Sequence, residues 1–182
     1  MTSKRPEPHE YYMGIAMAVR ARANCLGSRI GAVLVRDNRV VATGYNGTPE
    51  HMTNCDEGGC DRCAHREKYV SGQGYDVCIC VHAEQNAIIS AARLGTPIEG
   101  AILYSTMQPC FGCTKELLQA RVQAVYYLHP WQHPDESLQA EYKRLQSRFQ
   151  GGIKQVPVAD PQAAWAMGKQ PAKPRDTGHP IP

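Results

Sequence analysis

The chain has 182 residues, of which 42% are hydrophobic and 20% are charged, and its formal net charge is +3. This length and composition predict one folded domain with a sizeable core, and the net charge is too small for a dedicated nucleic-acid binder. No apolar run approaches the roughly 18–20 residues that span a bilayer, and residues 1–10 lack the apolar region of a secretion signal. The sequence therefore predicts a cytoplasmic protein with no membrane partner.

Hydrophobic periodicity predicts helices and strands on either side of one long irregular segment. A first helix ends near Gly27, and two strands follow around the turn pair Asp37-Asn38. The irregular segment, residues 46–81, is long for a compact domain, so we expect either an internal cross-link that holds it together or a function of its own. The predicted elements are, in chain order, helix 9–23, strands 30–35 and 39–45, helix 82–94, strand 101–105, helix 110–120, strand 122–128, helix 137–149 and strand 153–156.

The alternation of strands and helices after the first hairpin predicts a single α/β domain over residues 1–156, with helices on the faces of one sheet. Residues 157–182 are rich in Pro, Ala, Gln and Lys, which predicts an extended or disordered tail. The sequence shows no internal repeat.

Cysteine usage is high, since the chain has eight cysteines and all but Cys25 lie within residues 55–113. A disulfide framework is not expected in a protein without a secretion signal, because reducing compartments keep thiols reduced. The clustering therefore predicts metal binding in preference to scattered buried thiols.

Two short motifs carry the chemistry: His82-Ala83-Glu84, and Pro109-Cys110-Phe111-Gly112-Cys113. This combination is the H-x-E and P-C-x-x-C signature of zinc nucleobase deaminases. One imidazole and two thiolates provide three zinc ligands and leave the fourth tetrahedral position for water. Glu84 is the carboxylate that moves the proton. An isolated C-x-x-C would equally suit a structural zinc knuckle or a redox pair, but the added H-x-E motif favours the catalytic site.

The spacing of the motifs predicts how the site is built. Cys110 and Cys113 are three residues apart, so they share one face of the first turn of their helix. His82 and Glu84 are two residues apart and would point apart in mid-helix, so their helix must begin at the motif. Two helix N-termini then meet at the metal, where their positive ends favour thiolates.

The sequence resembles the cytidine/deoxycytidylate deaminase superfamily, and specifically the deoxycytidylate (dCMP) deaminases, over residues 11–128. The segments that carry the resemblance are GYNGTP at 44–49, NCDEGGC at 54–60, HAEQNAI at 82–88 and PCFGC at 109–113. The resemblance implies zinc-dependent hydrolysis of dCMP to dUMP and ammonia in pyrimidine deoxynucleotide metabolism. It also implies a three-layer α/β/α sandwich on a central five-stranded mixed sheet whose strands 4 and 5 are parallel. Homo-oligomers, dimeric or hexameric, and regulation by dCTP and dTTP are further implications.

The same resemblance implies a substrate site. Asn46, in the turn with Tyr45 and Gly47, would bind the nucleotide near its sugar, and Ala83 would offer its backbone to the edge of the base. Arg93 would contact the nucleotide or another subunit. The residues alone leave simpler readings open: Asn46 and Gly47 as a turn pair, and Arg93 as a solvated helix-end arginine.

The remaining cysteines predict a second, structural zinc that staples the irregular segment. The resemblance implies such a zinc because some dCMP deaminases hold one at positions that match Cys25, Cys55 and Cys80, and the fourth ligand here would be Cys60, Cys63 or Cys78. Six thiolates could instead bind two zinc ions through bridging sulfurs, or the thiols could be free.

Two other functions stay open. The segment after residue 128 contains His129, Trp131 and His133, which form either a different ligand wall or a surface loop. The first reading favours a deaminase of a modified cytosine nucleotide or another small base. A nucleic-acid editing deaminase is the more distant alternative, because the chain lacks the charge and aromatic content of a nucleic-acid groove.

Overall fold

A computed structural model describes residues 5–69, 77–133 and 135–166. The predicted order of helices and strands is confirmed, with one short helix added in the cysteine-rich segment. None of the helices in the described ranges combines the length and hydrophobicity needed to cross a bilayer. The elements are α1 (Pro8–Arg20), β1 (Gly31–Arg36), β2 (Arg39–Tyr45), α2 (Asp61–Ala64), α3 (Ala83–Arg93), β3 (Ile102–Met107), α4 (Phe111–Gln119), β4 (Ala124–His129), α5 (Glu136–Gln146) and β5 (Ile153–Gln155).

The five strands form one mixed sheet in the order β2-β1-β3-β4-β5. Strand β1 pairs antiparallel with both β2 and β3, while β3, β4 and β5 run parallel. The predicted parallel pairing of the fourth and fifth strands is therefore confirmed. Asp37 and Asn38 have φ angles of 50° and 58°, which is the left-handed backbone that a two-residue hairpin requires.

Helices cover both faces of the sheet, as the predicted three-layer sandwich requires. Strand β1 is buried on both sides, because Ala32 and Leu34 pack into one apolar cluster while Val33 and Val35 pack into another. The first cluster contains apolar residues of α3 and α4, and the second contains those of α1. Burial of both faces explains why β1 is an uninterrupted apolar run.

Gly44 brings the end of β2 against the first turn of α3. A Cβ atom placed on Gly44 would lie 2.2 Å from the carbonyl oxygen of Ala83 and 2.4 Å from the amide nitrogen of Ala87. No side chain fits between these backbones, so glycine is required for the close approach. This contact fixes the start of α3 against the sheet, and the start of α3 is where the His82 motif lies.

Residues 157–166, the first part of the predicted tail, lie against the body of the domain. Val158 packs on the apolar cluster beneath α1. The fully buried guanidinium of Arg20 donates two hydrogen bonds, of 2.7 and 2.8 Å, to the carboxylate of Asp160. The ring of Trp165 lies 5.5 Å from the guanidinium carbon of Arg20 and 5.2 Å from that of Arg29. Contacts with the domain thus continue beyond residue 156, and residues 167–182 lie outside the described residues.

Candidate active site

Both sequence motifs lie at helix starts. His82 immediately precedes α3 and Cys110 immediately precedes α4, each with extended backbone angles. The backbone N–H of His82 donates a 3.0 Å hydrogen bond to the side chain of Gln85, which closes the first turn of α3. The prediction that the helix begins at the His82 motif is confirmed, and two helix N-termini meet at one place.

The three predicted catalytic metal ligands are brought together. Nδ1 of His82 lies 3.5 Å from Sγ of Cys110 and 3.4 Å from Sγ of Cys113. A nitrogen at about 2.1 Å and a sulfur at about 2.3 Å from a tetrahedral zinc lie about 3.6 Å apart. Hydrogen bonds from Cys113 and His82 lower the pKa of Cys110, which favours its thiolate. The donor set and its spacing fit zinc.

Glu84 lies beside these ligands and is 2% exposed. Its Oε1 accepts a 3.1 Å hydrogen bond from the hydroxyl of Ser105 on β3. Burial raises the pKa of Glu84, so its affinity for a proton is higher than that of a solvated carboxylate. A carboxylate in this setting is suited to accept a proton and give it back.

A cleft opens at the ligands and Glu84. Its lining includes side chains from separate parts of the chain, among them Asn46, Arg62, Arg66, Glu84, Gln108 and Trp131. Among the described residues that line it, Glu84 is the only carboxylate, and both arginines are half-buried. The cleft therefore combines a proton acceptor with two fixed positive charges.

The sequence interpretation missed Arg62, Arg66 and Gln108. Arg62 belongs to α2 and Arg66 to the 3-10 turn that follows it, within the segment treated as irregular. The sequence shows only that both arginines lie within three residues of Cys63, and this nearness does not say which side chains reach the cleft. Gln108 accepts a 3.1 Å hydrogen bond from the backbone N–H of Trp131 at the same cleft.

The sequence left open whether the segment after β4 is a ligand wall or a surface loop, and the structure shows that only part of it reaches the cleft. Trp131 lines the cleft and His133 lines its neighbouring extension over α4. His129 points elsewhere, since its Nε2 lies 2.7 Å from the carboxylate of Asp160. Two of the three predicted wall residues therefore reach the site.

Of the residues predicted to bind substrate, Asn46 is the one that lines the cleft. It is 4% exposed. Its Oδ1 accepts a 2.8 Å hydrogen bond from the N–H of Ile30, and its Nδ2 donates a 2.7 Å bond to the carbonyl of Ser28. Asn46 thus holds the backbone of the cleft wall and keeps one donor and one acceptor position for a ligand.

Three other predicted substrate residues do not line the cleft and instead lie in the segments next to it: Tyr45, Gly47 and Ala83. The carbonyl of Tyr45 accepts a 2.7 Å hydrogen bond from the side chain of Asn86 on α3. Gly47 and Val81 exchange two backbone hydrogen bonds, of 2.8 and 3.2 Å, and so fix the segment that leads into His82. Ala83 is fully buried at the start of α3.

Arg93 is not brought to the cleft. It lies at the C-terminal end of α3, about 15 Å along the axis from the His82 end. Its side chain is 72% exposed, and its guanidinium lies 3.7 Å from the carboxylate of Glu50.

The six other cysteines gather in a cluster next to the cleft. Their sulfurs form two groups of four within which all atoms lie no more than 4.8 Å apart. Cys78 and Cys80 also line the cleft, so the cluster forms part of its wall. The groups are Cys25, Cys55, Cys63 and Cys80, and Cys60, Cys63, Cys78 and Cys80.

Comparison with known proteins agrees with this geometry. The family model of the cytidine and deoxycytidylate deaminase zinc-binding region matches residues 6–129. The chain belongs to this family. The resemblance seen in the motifs is thereby confirmed, and zinc is the metal that the family description and the His82, Cys110 and Cys113 set both support.

Relatives within the deaminase family include two yeast proteins named deoxycytidylate deaminase. The Schizosaccharomyces pombe protein is 45% identical over 123 residues, which are 68% of this chain and 37% of the relative. The Saccharomyces cerevisiae protein is 39% identical over 133 residues, which are 73% of this chain and 41% of the relative. The chain thus spans about two fifths of the length of these relatives.

Among solved structures, the dCMP deaminase of cyanophage S-TIM5 in complex with dCMP and dUMP has the same fold. It superposes with a TM-score of 0.63 at 26% identity and covers 85% of this chain and 100% of its own. The five-stranded α/β deaminase architecture that the family resemblance implied is confirmed.

Proposed function

We propose that this chain catalyses the hydrolytic deamination of dCMP to dUMP and ammonia in pyrimidine deoxynucleotide metabolism. The observation that carries the proposal is the buried carboxylate of Glu84 in one cleft with the His82, Cys110 and Cys113 ligand set. Support also comes from the relatives named deoxycytidylate deaminase and from the phage enzyme seen with dCMP and dUMP.

The chain's own residues have distinct roles in this reaction. His82, Cys110 and Cys113 would hold the catalytic zinc, which when bound supplies a Lewis acid that lowers the pKa of water. Glu84 accepts one proton from the attacking water and passes it to the ring nitrogen, and it then moves the second proton, from the hydroxyl formed at C4, to the amino group that departs as ammonia. The Ser105 hydroxyl fixes the orientation of the Glu84 carboxylate through its hydrogen bond.

The nucleotide is held by the cleft wall. Arg62 and Arg66 supply the charge for a 5′-phosphate, since charge-assisted bonds from guanidinium groups suit phosphate oxygens. Asn46 contacts the sugar with the hydrogen-bonding positions that Ser28 and Ile30 do not use. The backbone at Ala83 meets the edge of the base, while Tyr45 and Gly47 keep the loop in place.

A substrate panel tests the proposed function. Zinc-loaded protein should release ammonia from dCMP with a kcat/KM roughly 10²–10⁴ times that for deoxycytidine, because two charge-assisted bonds contribute about 1.5–3 kcal/mol each. CMP, dCTP and 5-substituted dCMPs complete the panel. Equal kcat/KM for dCMP and deoxycytidine would remove the monophosphate assignment. Preference for a 5-substituted nucleotide would favour the alternative function, a deaminase of a modified cytosine nucleotide.

Variants of the two arginines, assayed with the same substrates, test whether these side chains bind the 5′-phosphate. Arg62→Gln and Arg66→Gln should each lower kcat/KM for dCMP by roughly 10–10²-fold, because each removes one charge-assisted bond. Turnover of deoxycytidine should stay unchanged. Lys68→Gln is the matched control, since Lys68 is exposed in the same turn as Arg66. A fall in activity on both substrates would place the arginines in structural support instead.

The cysteine cluster would hold at least one further, structural zinc. Its four-sulfur groups have the ligand type and closeness that such a site requires. This zinc staples residues 46–81, and Cys80 lies two residues before His82.

Homo-oligomer formation is proposed through the outer side of β2 and α3. Val40, Tyr45, Ile89 and Leu94 are between 38% and 78% exposed there. Ile89 and Arg93 are four residues apart on α3, so they share a face, and Arg93 would contact the neighbouring subunit. A cytoplasmic location and regulation by dCTP and dTTP stay predictions from the sequence.

A further inference from the structure

Six thiols lie next to the active-site cleft, and four separate pieces of the chain supply them. Cys25 follows α1, Cys55 begins a 3-10 turn, and Cys60 and Cys63 belong to the start and body of α2. Cys78 and Cys80 lie on the extended segment that leads to His82. Five of the six are buried and Cys78 is partly buried, and all six are free thiols.

The two four-sulfur groups overlap. Cys63 and Cys80 belong to both, while Cys25 and Cys55 belong to the first group only, and Cys60 and Cys78 to the second only. The Sγ–Sγ distances from Cys25 to Cys63, from Cys60 to Cys78 and from Cys63 to Cys78 are each 3.9 Å. Two sulfurs at about 2.3 Å from a tetrahedral zinc lie about 3.8 Å apart. Both groups therefore have the spacing of a filled site.

We infer that the six cysteines hold a binuclear zinc–thiolate cluster in which Cys63 and Cys80 bridge two zinc ions. One ion takes Cys25 and Cys55 as its terminal ligands, and the other takes Cys60 and Cys78. Each ion is then surrounded by four sulfurs, which is the closed coordination of a structural zinc site. The inference extends the proposed structural zinc, and it does not depend on the identity of the deaminase substrate.

The second ion brings no extra net charge. Six thiolates and two Zn²⁺ ions carry a net charge of −2, the same as one Zn²⁺ held by four thiolates. Backbone N–H groups of Leu26 and Gly27 donate 3.3 Å hydrogen bonds to the sulfurs of Cys55 and Cys25. These donors offset the negative charge of the terminal thiolates.

A single ion leaves two ligands unused. If zinc occupied only the first group, the sulfurs of Cys60 and Cys78 would lie 3.9 Å apart with no metal between them. Their separation is well beyond the roughly 2.05 Å of a disulfide bond. The second group has four sulfurs close together, as the first group does, and the two groups share the sulfurs of Cys63 and Cys80.

The cluster is directly connected to the active site. Only Val81 separates the bridging Cys80 from His82, and Val81 is itself fixed by its two hydrogen bonds to Gly47. The same cluster holds α2, which carries Arg62 into the cleft. Both ions therefore position residues that the proposed reaction uses.

Metal content of the full chain tests the inference without any activity assay. Protein purified without chelators should contain three zinc ions per chain, two in the cluster and one at His82, Cys110 and Cys113. After exchange with ¹¹³Cd, NMR should show two resonances of four-sulfur sites joined by scalar coupling through the shared thiolates. Two zinc ions per chain, uncoupled resonances or a Cys60–Cys78 disulfide would each overturn the binuclear assignment.

Matched variants separate the two cluster ions. Cys78→Ser should lower the zinc content from three to two and remove one of the coupled resonances. A single-zinc site in the first group predicts no loss from Cys78→Ser. Cys110→Ser is the control, because it should remove the catalytic ion and leave the coupled pair of resonances intact. If the serine variants fail to fold, the metal count and the coupling in the unaltered chain still decide the question.

Discussion

Replacing Glu84 with glutamine should lower kcat for dCMP by roughly 10²–10⁴-fold or more, because one carboxylate serves successive proton transfers. Glutamine has nearly the same shape, can still meet the Ser105 hydroxyl and cannot accept a proton from water. Zinc content and the unfolding midpoint should stay close to those of the unaltered protein. Stopped assays of dUMP formation, together with elemental analysis of the same sample, measure both quantities.

Glu116→Gln is the matched control for this substitution. Glu116 is an exposed carboxylate on α4 that accepts a 2.9 Å hydrogen bond from Gln85 near the same helix start. Its replacement should leave kcat within about twofold, since surface substitutions rarely matter far from the reacting atoms. Near-normal turnover by Glu84→Gln with full zinc content would exclude Glu84 as the proton carrier.

Replacing Asp160 with asparagine should lower the free energy of unfolding by about 3–5 kcal/mol, because the buried Arg20 loses its charged partner. Arg20 is fully buried and Asp160 has a side-chain exposure of only 3%. Urea unfolding followed by circular dichroism measures the change. Glu141→Gln, which breaks the exposed ion pair with Arg144, should leave the midpoint almost unchanged.

The pH dependence of this effect has a definite sign. Hydrogen bonds from Arg20, and then from His129, hold the pKa of Asp160 well below its ordinary value of 3.8. A group with a lowered pKa contributes stability above its unfolded-state pKa and loses that contribution as pH falls toward its folded-state pKa. The stability difference between the unaltered protein and Asp160→Asn should therefore be largest at neutral pH and shrink below about pH 4. A difference that grows on acidification would contradict the pairing.

Most of the fold follows from local sequence signals. The Asp37-Asn38 turn, the doubly buried run of β1 and the two motif-bearing helix starts each depend on a few neighbouring residues. The tail is different, because its general composition is that of an unstructured segment while three separated residues make its contacts. Val158, Asp160 and Trp165 show no periodicity, and Arg20, the shared partner of Asp160 and Trp165, lies more than a hundred residues away.

Some residues of the candidate site could likewise be predicted from the sequence, and others could not. Ligand spacing identified His82, Cys110 and Cys113, because metal geometry limits which residue types and separations work. Arg62 and Arg66 could not be found by such a rule, since their approach to the cleft depends on how the cysteine cluster folds the segment that carries them. The internal hydrogen bonds of Asn46 likewise depend on where the chain places Ser28 and Ile30, 18 and 16 residues away.

The contact between Arg20 and Asp160 also has a kinetic consequence. The two residues are separated by 140 positions, so the buried guanidinium has no partner until nearly all of the domain has been synthesised. Near the cleft, the Ser28 hydroxyl and the Arg29 backbone N–H donate hydrogen bonds to the carbonyls of Ala166 and Trp165, which become available at the same late stage. Strands β1–β4 and the proposed metal ligands all precede residue 130, so they can form their contacts before these late residues are available. The chain beside the cleft is then covered only after residues 160–166 have docked.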